Sequence, residues 1–429
     1  MTRAVYIVDG VRTPFCRMGT VFAEAPADDL GRAAAGTLLA RTGIDPEAID
    51  EVIFGCVGQP AESANIARVI ALRSGVPESV PAMTVQRNCA SGFEAITQAA
   101  MRIAVGRGEV FLVGGTESMS QYPLLFGREA ARKFSDLSRM KTMSARLGAM
   151  ARFRPADFKP LVSLRLGLTD PVCGLNMGQT AELLARDWGI TREDQDQFAL
   201  RSHLRAIEAR TRLADEIEPY CYAVNGHDAP GIAADNGPRE GQTIEALAKL
   251  RPVFEKKHGT VTAGNASQVT DGAAALLVVS EDALRTHNLR PLGRLVDYAY
   301  SGCEPGRMGL GPVFAIAELE TRSGYGPAEA DIIEINEAFA AQVLACCRAA
   351  ESADFARRHL GRDRPLGEIP GEKLNVNGGA IAFGHPVGTS GTRLALTALK
   401  ELRRRKQRQA LVSLCVGGGQ GGALWLEAA

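Results

Sequence analysis

Four short stretches of this 429-residue chain join reactive side chains to glycines that lay the backbone open: Asn88-Cys89-Ala90-Ser91-Gly92, Asn336-Glu337-Ala338-Phe339, Gly384-His385-Pro386-Val387-Gly388 and Cys415-Val416-Gly417-Gly418-Gly419-Gln420-Gly421. A cysteine sulfur suits the transfer of an acyl group between thioesters, and such a nucleophile needs a base. His385 is the only histidine set in a glycine-rich turn of this kind. Glycine runs also present N–H groups to a developing oxyanion. Carbon–carbon chemistry beside a thioester requires a second acid/base to exchange an α-proton, and Cys415, ending a strand-like run, is the candidate. Each residue has a plain alternative: an unpaired cysteine is commonly a small buried hydrophobe, and a lone histidine more often sits in the core or on the surface than in catalysis. Four such pieces together shift the balance toward function.

The elements that must hold these residues follow from periodicity. Cys89 lies where the extended run Pro81 to Val85 gives way to a helix with Phe93, Ile96, Thr97, Ala100 and Ala104 on one face. At a helix start, backbone N–H groups and the dipole favour a thiolate, so Cys89 is expected to alkylate ahead of the other cysteines. Strands at Ala4 to Val8, Glu51 to Phe54 and Glu109 to Val113 alternate with helices at Leu30 to Arg41 and Asn65 to Ser74. That alternation predicts an α/β fold with a largely parallel sheet. From about Ser120 to Gly264 the rhythm breaks. Arg128 to Arg165 carries ten Lys/Arg against three Asp/Glu. Phe134, Leu137, Met140, Met143, Leu147, Met150 and Phe153 form an amphipathic helical stripe there. Further helices are expected at Thr180 to Arg186 and Arg192 to Thr211.

The strand–helix rhythm resumes at Ala273 to Val279 and restarts at Leu292 to Tyr298 as a weak internal repeat. Asp45-Pro46-Glu47-Ala48-Ile49-Asp50-Glu51-Val52-Ile53-Phe54-Gly55 is echoed by Pro327-Ala328-Glu329-Ala330-Asp331-Ile332-Ile333-Glu334-Ile335-Asn336. After each come a functional-looking turn, a helix, a strand and a glycine run, so duplication would set Cys89 and His385 in corresponding turns. Gly417-Gly418-Gly419-Gln420-Gly421-Gly422 formally fits a dinucleotide-binding pattern. That pattern needs a following helix, and Ala423 to Glu427 reads as a strand, so a nucleotide cradle is rejected.

Composition narrows the class. The chain is 45% hydrophobic and 23% charged, enough for a large packed core. Its 49 basic and 49 acidic residues balance to zero, which argues against nucleic-acid binding. Nine cysteines without framework or metal-ligand spacing point to a reducing compartment and no metal site. Neither a signal-peptide pattern nor an apolar run of membrane-spanning length is seen, so a cytoplasmic protein is expected.

In this order the pieces resemble the thiolase family over essentially the whole chain. Val8-Asp9-Gly10-Val11-Arg12-Thr13-Pro14, Gly114-Gly115-Thr116-Glu117-Ser118-Met119 and Gly259-Thr260-Val261-Thr262-Ala263-Gly264-Asn265-Ala266-Ser267 join the four stretches above as family-like motifs. The resemblance implies a five-layered αβαβα core of two similar halves. Its expected boundaries are 1–119 for the N-terminal half, 120–264 for an inserted helical loop domain, 265–291 for the end of that half and 292–429 for the C-terminal half. It implies ping-pong acyl transfer: Cys89 takes the acyl group, His385 activates the nucleophile and Cys415 moves the α-proton. One oxyanion hole would be His385 with a water held by Asn336, the other the amides of Cys89 and Gly417. Coenzyme A, a co-substrate with no permanently bound cofactor beside it, would meet Met177, Arg239, Ala263 and Ser267.

The implied reaction is thiolytic cleavage of 3-oxoacyl-CoA to acetyl-CoA and a shortened acyl-CoA, or the reverse Claisen condensation, with acetoacetyl-CoA synthesis as the alternative. Related condensing enzymes pair cysteine with His-His or His-Glu, and the second cysteine at Cys415 argues against them. A silent lipid carrier or scaffold on the same fold has no need of all three reactive residues. A homodimer or homotetramer is implied. Arg128 to Arg154 resembles the enlarged loop of the trifunctional-complex β-subunit branch, implying a partner subunit with other β-oxidation activities or a weak membrane-surface contact. That branch carries His-Glu-Ala-Phe where this chain has Asn336-Glu337-Ala338-Phe339, the form of ordinary thiolases.

Overall fold

Strands and helices alternate through the first half as β1 (Val5–Arg12), α1 (Ala27–Thr42), β2 (Glu51–Gly55), α2 (Ile66–Arg73), β3 (Ala82–Val85), α3 (Ser91–Ala104) and β4 (Val110–Glu117). Our computed structural model describes residues 3–221, 223–224, 227–228 and 231–429. Helices α4 (Arg128–Arg139), α5 (Met143–Met150), α6 (Met177–Asp187) and α7 (Arg192–Glu208) fill the middle. Then follow β5 (Thr270–Ser280), β6 (Gly293–Gly302), α8 (Gly311–Ser323), β7 (Ile332–Ile335), α9 (Ala340–Glu351), α10 (Ser390–Arg405), β8 (Gln409–Val416) and β9 (Gln420–Ala428). Local chemistry sets the ends. Asp28 and Asp29 occupy the first turn of α1 and Gly43 closes it in the left-handed region at φ 64°. Thr191 and Asp194 cap α7 reciprocally.

The strands run in the order β7-β8-β9-β6-β1-β5-β4-β2-β3, with Cys16–Arg17 added on β5. Each half repeats one pattern. In the first, β1/β5 and β5/β4 are antiparallel while β4/β2 and β2/β3 are parallel. In the second, β6/β9 and β9/β8 are antiparallel and β8/β7 parallel, with a parallel bridge from Ile333 to Leu374 standing where β3 stands in the first. The halves join through Val5, Tyr6 and Ile7 of β1 against Leu295, Arg294 and Gly293 of β6. The sheet is therefore mixed rather than largely parallel, because the five neighbouring pairs from β8 through β9, β6, β1 and β5 to β4 are all antiparallel.

Three apolar cores separate the layers. Leu30, Leu38, Ile66 and Ile70 of α1 and α2 pack on Val52, Phe54, Leu112 and Leu277. Val313, Ile316 and Leu319 of α8 and Val343 of α9 pack on Ile333, Leu411 and Trp425. Between the half-sheets lies the central core, where Phe93, Ile96 and Ile103 of α3 meet Leu394, Leu399 and Leu402 of α10, with Val113, Leu276, Val412 and Leu424 from the strands. Helix, sheet, helix, sheet, helix is the order expected of the αβαβα core. β5 is buried along its whole length, which is why its sequence is a continuous apolar run rather than an alternating one.

The inserted region differs from the expected boundaries. Only Tyr122–Thr169 forms a compact unit of its own; Asp170 onward belongs with the rest of the chain. The reason is packing: Ala181, Leu184, Phe198 and Ala199 of α6 and α7 are part of the second half's outer core. Within the small unit, the expected stripe is two helices rather than one. The chain breaks at Met140, and Thr142 restarts it by accepting the Ala145 N–H at 3.3 Å. Phe134 and Phe153 join Phe126 and Phe158 in an aromatic cluster, whereas Met143, Leu147 and Met150 are exposed.

The central helices touch backbone to backbone. A Cβ on Gly92 of α3 would lie 2.5 Å from the Thr392 nitrogen of α10, and one on Gly391 would lie 2.6 Å from the Phe93 nitrogen. Gly36 on α1 faces open space instead. Gly92→Ala is expected to destabilise the protein by about 1–3 kcal/mol, and Gly36→Ala to stabilise it by about 0.4–1 kcal/mol. Denaturant titrations of the two variants check this; equal effects would show that the helix crossing tolerates added bulk.

Candidate active site

The turn before α3 is held by its own side chains. Asn88 adopts φ 43°, a left-handed conformation that asparagine tolerates better than most residues. Its Nδ2 donates to the Gly417 carbonyl at 2.8 Å. Ser91 Oγ accepts the Arg87 N–H at 2.9 Å and donates to the Asn88 carbonyl at 2.7 Å. So fixed, the Cys89 thiol is lowered by the main-chain amides of Gly417 and of Cys89 itself. Burial nevertheless pushes the thiol up to about 11, outweighing both donors, and nearby Glu117 adds to the rise. The thiolate expected from the helix start is thus corrected: desolvation in the packed centre wins, and Cys89 rests as a thiol.

His385 sits in the corresponding turn of the second half. Gly384 precedes it at φ 100°, where a Cβ would lie 2.0 Å from Thr270 Oγ1. The His385 N–H is shared between the Gln268 carbonyl at 3.1 Å and Thr270 Oγ1 at 3.2 Å. Its Nδ1 lies 2.5 Å from Ser390 Oγ and its Nε2 lies 3.5 Å from Asn336 Nδ2. Burial, helped by Arg393, lowers the imidazole to about 4, so it is neutral at pH 7. Glu117 ties this turn to the first half, accepting Gly388 N–H at 2.8 Å, Val57 N–H at 3.1 Å and Gly58 N–H at 2.7 Å. A Cβ on Gly92 would also approach the Gly388 carbonyl at 3.2 Å, so the cysteine and histidine turns adjoin.

Cys415 is fully buried at the end of β8; burial raises its thiol strongly, and neighbouring Cys89 raises it further. Asn336 donates its main-chain N–H to Ser413 at 3.0 Å, while its buried Oδ1 has no protein partner and is free to accept from water or substrate. Gly417 faces Met177, whose Sδ lies 3.4 Å from where a Gly417 Cβ would be. Ser267 donates its N–H to Ala338 at 2.9 Å, beside Asn336. Ala263 is exposed on a loop pinned by Glu182, which accepts the Thr260 and Val261 N–H groups at 2.9 and 3.0 Å. Arg239 is half-buried and donates its N–H to His203 Nδ1 at 3.3 Å. The structure thus gathers Cys89, His385, Cys415, Asn336, Gly417, Met177 and Ser267, while the bonds that place Ala263 and Arg239 run to Glu182 and His203.

Sequence reasoning missed Ser390 and gave no role to Asn88 and Glu117, which lie within its motifs. The repeat held one usable signal: a Ser-Gly pair opens the helix after each turn, Ser91-Gly92 and Ser390-Gly391. A half-buried Cys89 thiol near 11 and an exposed Cys221 reverse the alkylation order expected from sequence. Iodoacetamide at pH 6 should modify Cys221 before Cys89, because reaction follows access and thiolate fraction. Peptide mapping that found Cys89 first would restore the preformed thiolate.

Residues 5–282 match the model of the thiolase N-terminal domain, and residues 289–428 that of the thiolase C-terminal domain. The chain is 40% identical to the 3-ketoacyl-CoA thiolase of Pectobacterium atrosepticum, the match covering 99% of this chain and 96% of that protein. It is also 40% identical to the 3-ketoacyl-CoA thiolase of Yersinia enterocolitica over the same shares. Among solved structures, human mitochondrial 3-ketoacyl-CoA thiolase superposes with a TM-score of 0.87 at 39% identity, covering 100% of this chain and 99% of that one. The same human enzyme in complex with CoA gives 0.86 at 39% identity, covering 100% and 98%. Bacillus anthracis acetyl-CoA acetyltransferase gives 0.87 at 36%, covering 100% and 99%. With both domain models matched in order and the duplicated α/β core in place, this chain belongs to the thiolase family.

Proposed function

We propose that the protein is a 3-oxoacyl-CoA thiolase, an acetyl-CoA C-acyltransferase. The observation that carries this reading is the bond from Asn88 Nδ2 to the Gly417 carbonyl at 2.8 Å, which sets the Cys89 turn against the glycine run that follows the buried Cys415. In thiolysis, His385 Nε2 takes the Cys89 proton and the sulfur attacks C3 of the 3-oxoacyl-CoA. The C2–C3 bond breaks, and Cys415 protonates C2 to release acetyl-CoA. The acyl group stays on Cys89 as a thioester. The coenzyme A thiol then gives its proton to Cys415 and attacks that thioester. Cys89 leaves and regains its proton from His385.

The amides of Cys89 and Gly417 support the oxyanion at the acyl carbon, while His385 and a water on Asn336 support the enolate oxygen of acetyl-CoA. A neutral thiol facing a neutral imidazole suits these steps, since neither ion must be maintained in the buried site at rest. Coenzyme A serves as co-substrate, held at Met177, Ser267, Ala263 and Arg239, with Arg239 on a phosphate. The relatives' names favour 3-oxoacyl-CoA over acetoacetyl-CoA synthesis as the working reaction. Assembly as a homodimer or homotetramer and a cytoplasmic location accompany this reading. The nine free cysteines suit a reducing compartment, and among the described residues no helix is long and apolar enough to cross a membrane.

The unit Tyr122–Thr169 favours a second, surface role. Leu124, Leu125, Phe126, Met143, Leu147, Met150, Phe158, Leu161, Val162 and Leu166 are all exposed on it, amid ten basic and three acidic residues from Arg128 to Arg165. Apolar side chains among cations suit an anionic lipid surface, with a partner subunit as the competing occupant. Replacing Arg128, Arg132, Arg146 and Arg152 with Gln should reduce co-sedimentation with anionic vesicles and leave turnover of acetoacetyl-CoA intact. Unchanged vesicle binding would assign the unit to a protein partner or to the fold alone.

The two cysteines are separable. Cys89→Ala should abolish both the acyl-enzyme and turnover. Cys415→Ala keeps the Cys89 nucleophile but loses the α-proton partner, so intact-mass spectrometry with acetyl-CoA should show an acetyl adduct on it and none on Cys89→Ala. Both should lose thiolysis by about 10²-fold or more. An adduct surviving on Cys89→Ala, or near-normal turnover of Cys415→Ala, would overturn these roles.

A further inference from the structure

We propose that Ser390 is a positioning residue of the reaction: its hydroxyl oxygen accepts the Nδ1–H of His385, holding the imidazole in the one neutral tautomer whose Nε2 lone pair is available to Cys89. The proposal rests on the thiolase reading and adds to it the group that prepares the base.

A neutral imidazole has one donor nitrogen and one acceptor nitrogen. At Nδ1 the contact is Ser390 Oγ, 2.5 Å away; at Nε2 it is Asn336 Nδ2, 3.5 Å away. With its NH₂ turned toward the ring, Asn336 offers Nε2 a donor, which agrees with a lone pair on Nε2 and a proton on Nδ1. Ser390 agrees with this. Its single hydroxyl proton can be given to the Pro386 carbonyl at 3.1 Å, one turn back along the chain, leaving its lone pairs for Nδ1–H.

The first half carries an independent precedent for the same hydroxyl geometry. Ser91 opens α3 as Ser390 opens α10. Ser91 Oγ also donates to a carbonyl of the preceding turn, that of Asn88 at 2.7 Å, and accepts an N–H, that of Arg87 at 2.9 Å. The duplicated serine therefore does one task twice, with a main-chain N–H as its partner in one half and the catalytic imidazole in the other.

The choice of a hydroxyl has a chemical consequence. Arg393, on the same helix as Ser390, is the charged group that acts on this ring; Glu117 reaches the turn through the Gly388 N–H. Among the described residues no carboxylate bonds Nδ1, so the imidazolium formed on taking the Cys89 proton has no carboxylate partner at that nitrogen and gives the proton back readily. A serine oxygen orients the ring without fixing a charge on it.

The test compares wild type, Ser390→Ala and Ser390→Thr, with ring ¹⁵N chemical shifts of His385 (assigned by His385→Gln) as the readout that needs no turnover. Wild type should show the Nδ1–H tautomer, and Ser390→Ala a shift toward Nε2–H. In thiolysis Ser390→Ala should lose kcat by about 10- to 100-fold with KM within about threefold, while Ser390→Thr, which keeps the hydroxyl, should retain most of kcat. An Nε2–H tautomer in the wild type would overturn the proposal whatever the variants do. So would Ser390→Ala with unchanged tautomer and near-normal kcat. If Ser390→Ala fails to fold, the wild-type tautomer and the Ser390→Thr kinetics still decide. Loss of the Cys89 acyl-enzyme chemistry in wild type would count against the thiolase reading and leave the tautomer result untouched.

Discussion

Everything at the reactive centre depends on one close approach, the crossing of α3 and α10 at Gly92 and Gly391. Neither position leaves room for a Cβ beside the opposing backbone, at 2.5 and 2.6 Å. Side chains of ordinary size would hold two packed helices 8–10 Å apart; glycines let them close further. Because Cys89 and His385 each lie a few residues before those glycines, the crossing brings together two turns that are nearly three hundred positions apart in the chain. The neighbouring glycines obey the same constraint. A Cβ on Gly115 would fall 2.1 Å from the Gly388 carbonyl, and one on Gly55 would fall 2.7 Å from Ser91.

Desolvation is the second determinant, and it sets the protonation states. Helix starts and amide donors act on Cys89 in the direction of the thiolate, but their contribution at a terminus is roughly 0.3–2 kcal/mol, and here burial is the larger effect. The same burial keeps His385 neutral. Under the proposed roles, two neutral partners can exchange a proton when substrate arrives. Burial has a cost elsewhere in this layer. Arg393 and Glu334 are both almost completely shielded and lie 3.4 Å apart, an ion pair whose desolvation its attraction offsets only in part.

Duplication explains why the site can be read as one object. Ser91 and Ser390 open equivalent helices, β4 and β8 end in glycine-rich runs, and the strand ladders follow the same sequence of antiparallel and parallel pairings in both halves. The halves have nevertheless diverged in what each turn presents, a sulfur in one and an imidazole in the other. The unit Tyr122–Thr169 stands apart from this symmetry. Its aromatic cluster around Phe134 supplies a small core, and its remaining apolar side chains are left on the surface.

By itself, the sequence determined most of the elements and singled out the candidate reactive residues. Strand and helix periods follow from local packing, so β2, α2, α7 and β5 lay close to their expected positions. Cys89, His385, Cys415 and Asn336 stood out because reactive side chains were set among glycines or at strand ends. Only the tertiary structure decided the rest. Antiparallel ladders at the sheet centre depend on which strands meet, and periodicity along one strand carries no information about its neighbour. The boundary at Asp170 arises because Leu184 and Phe198 bury themselves in the second half's core, a long-range contact that local patterns do not record. The protonation of Cys89 needed the burial of its surroundings. Glu117 gained its role from partners far away in the chain, at Gly388 and at Val57 and Gly58, groups that only folding brings within reach of its carboxylate, whereas Ser390 meets His385 only five residues back, through the local geometry of the turn before α10.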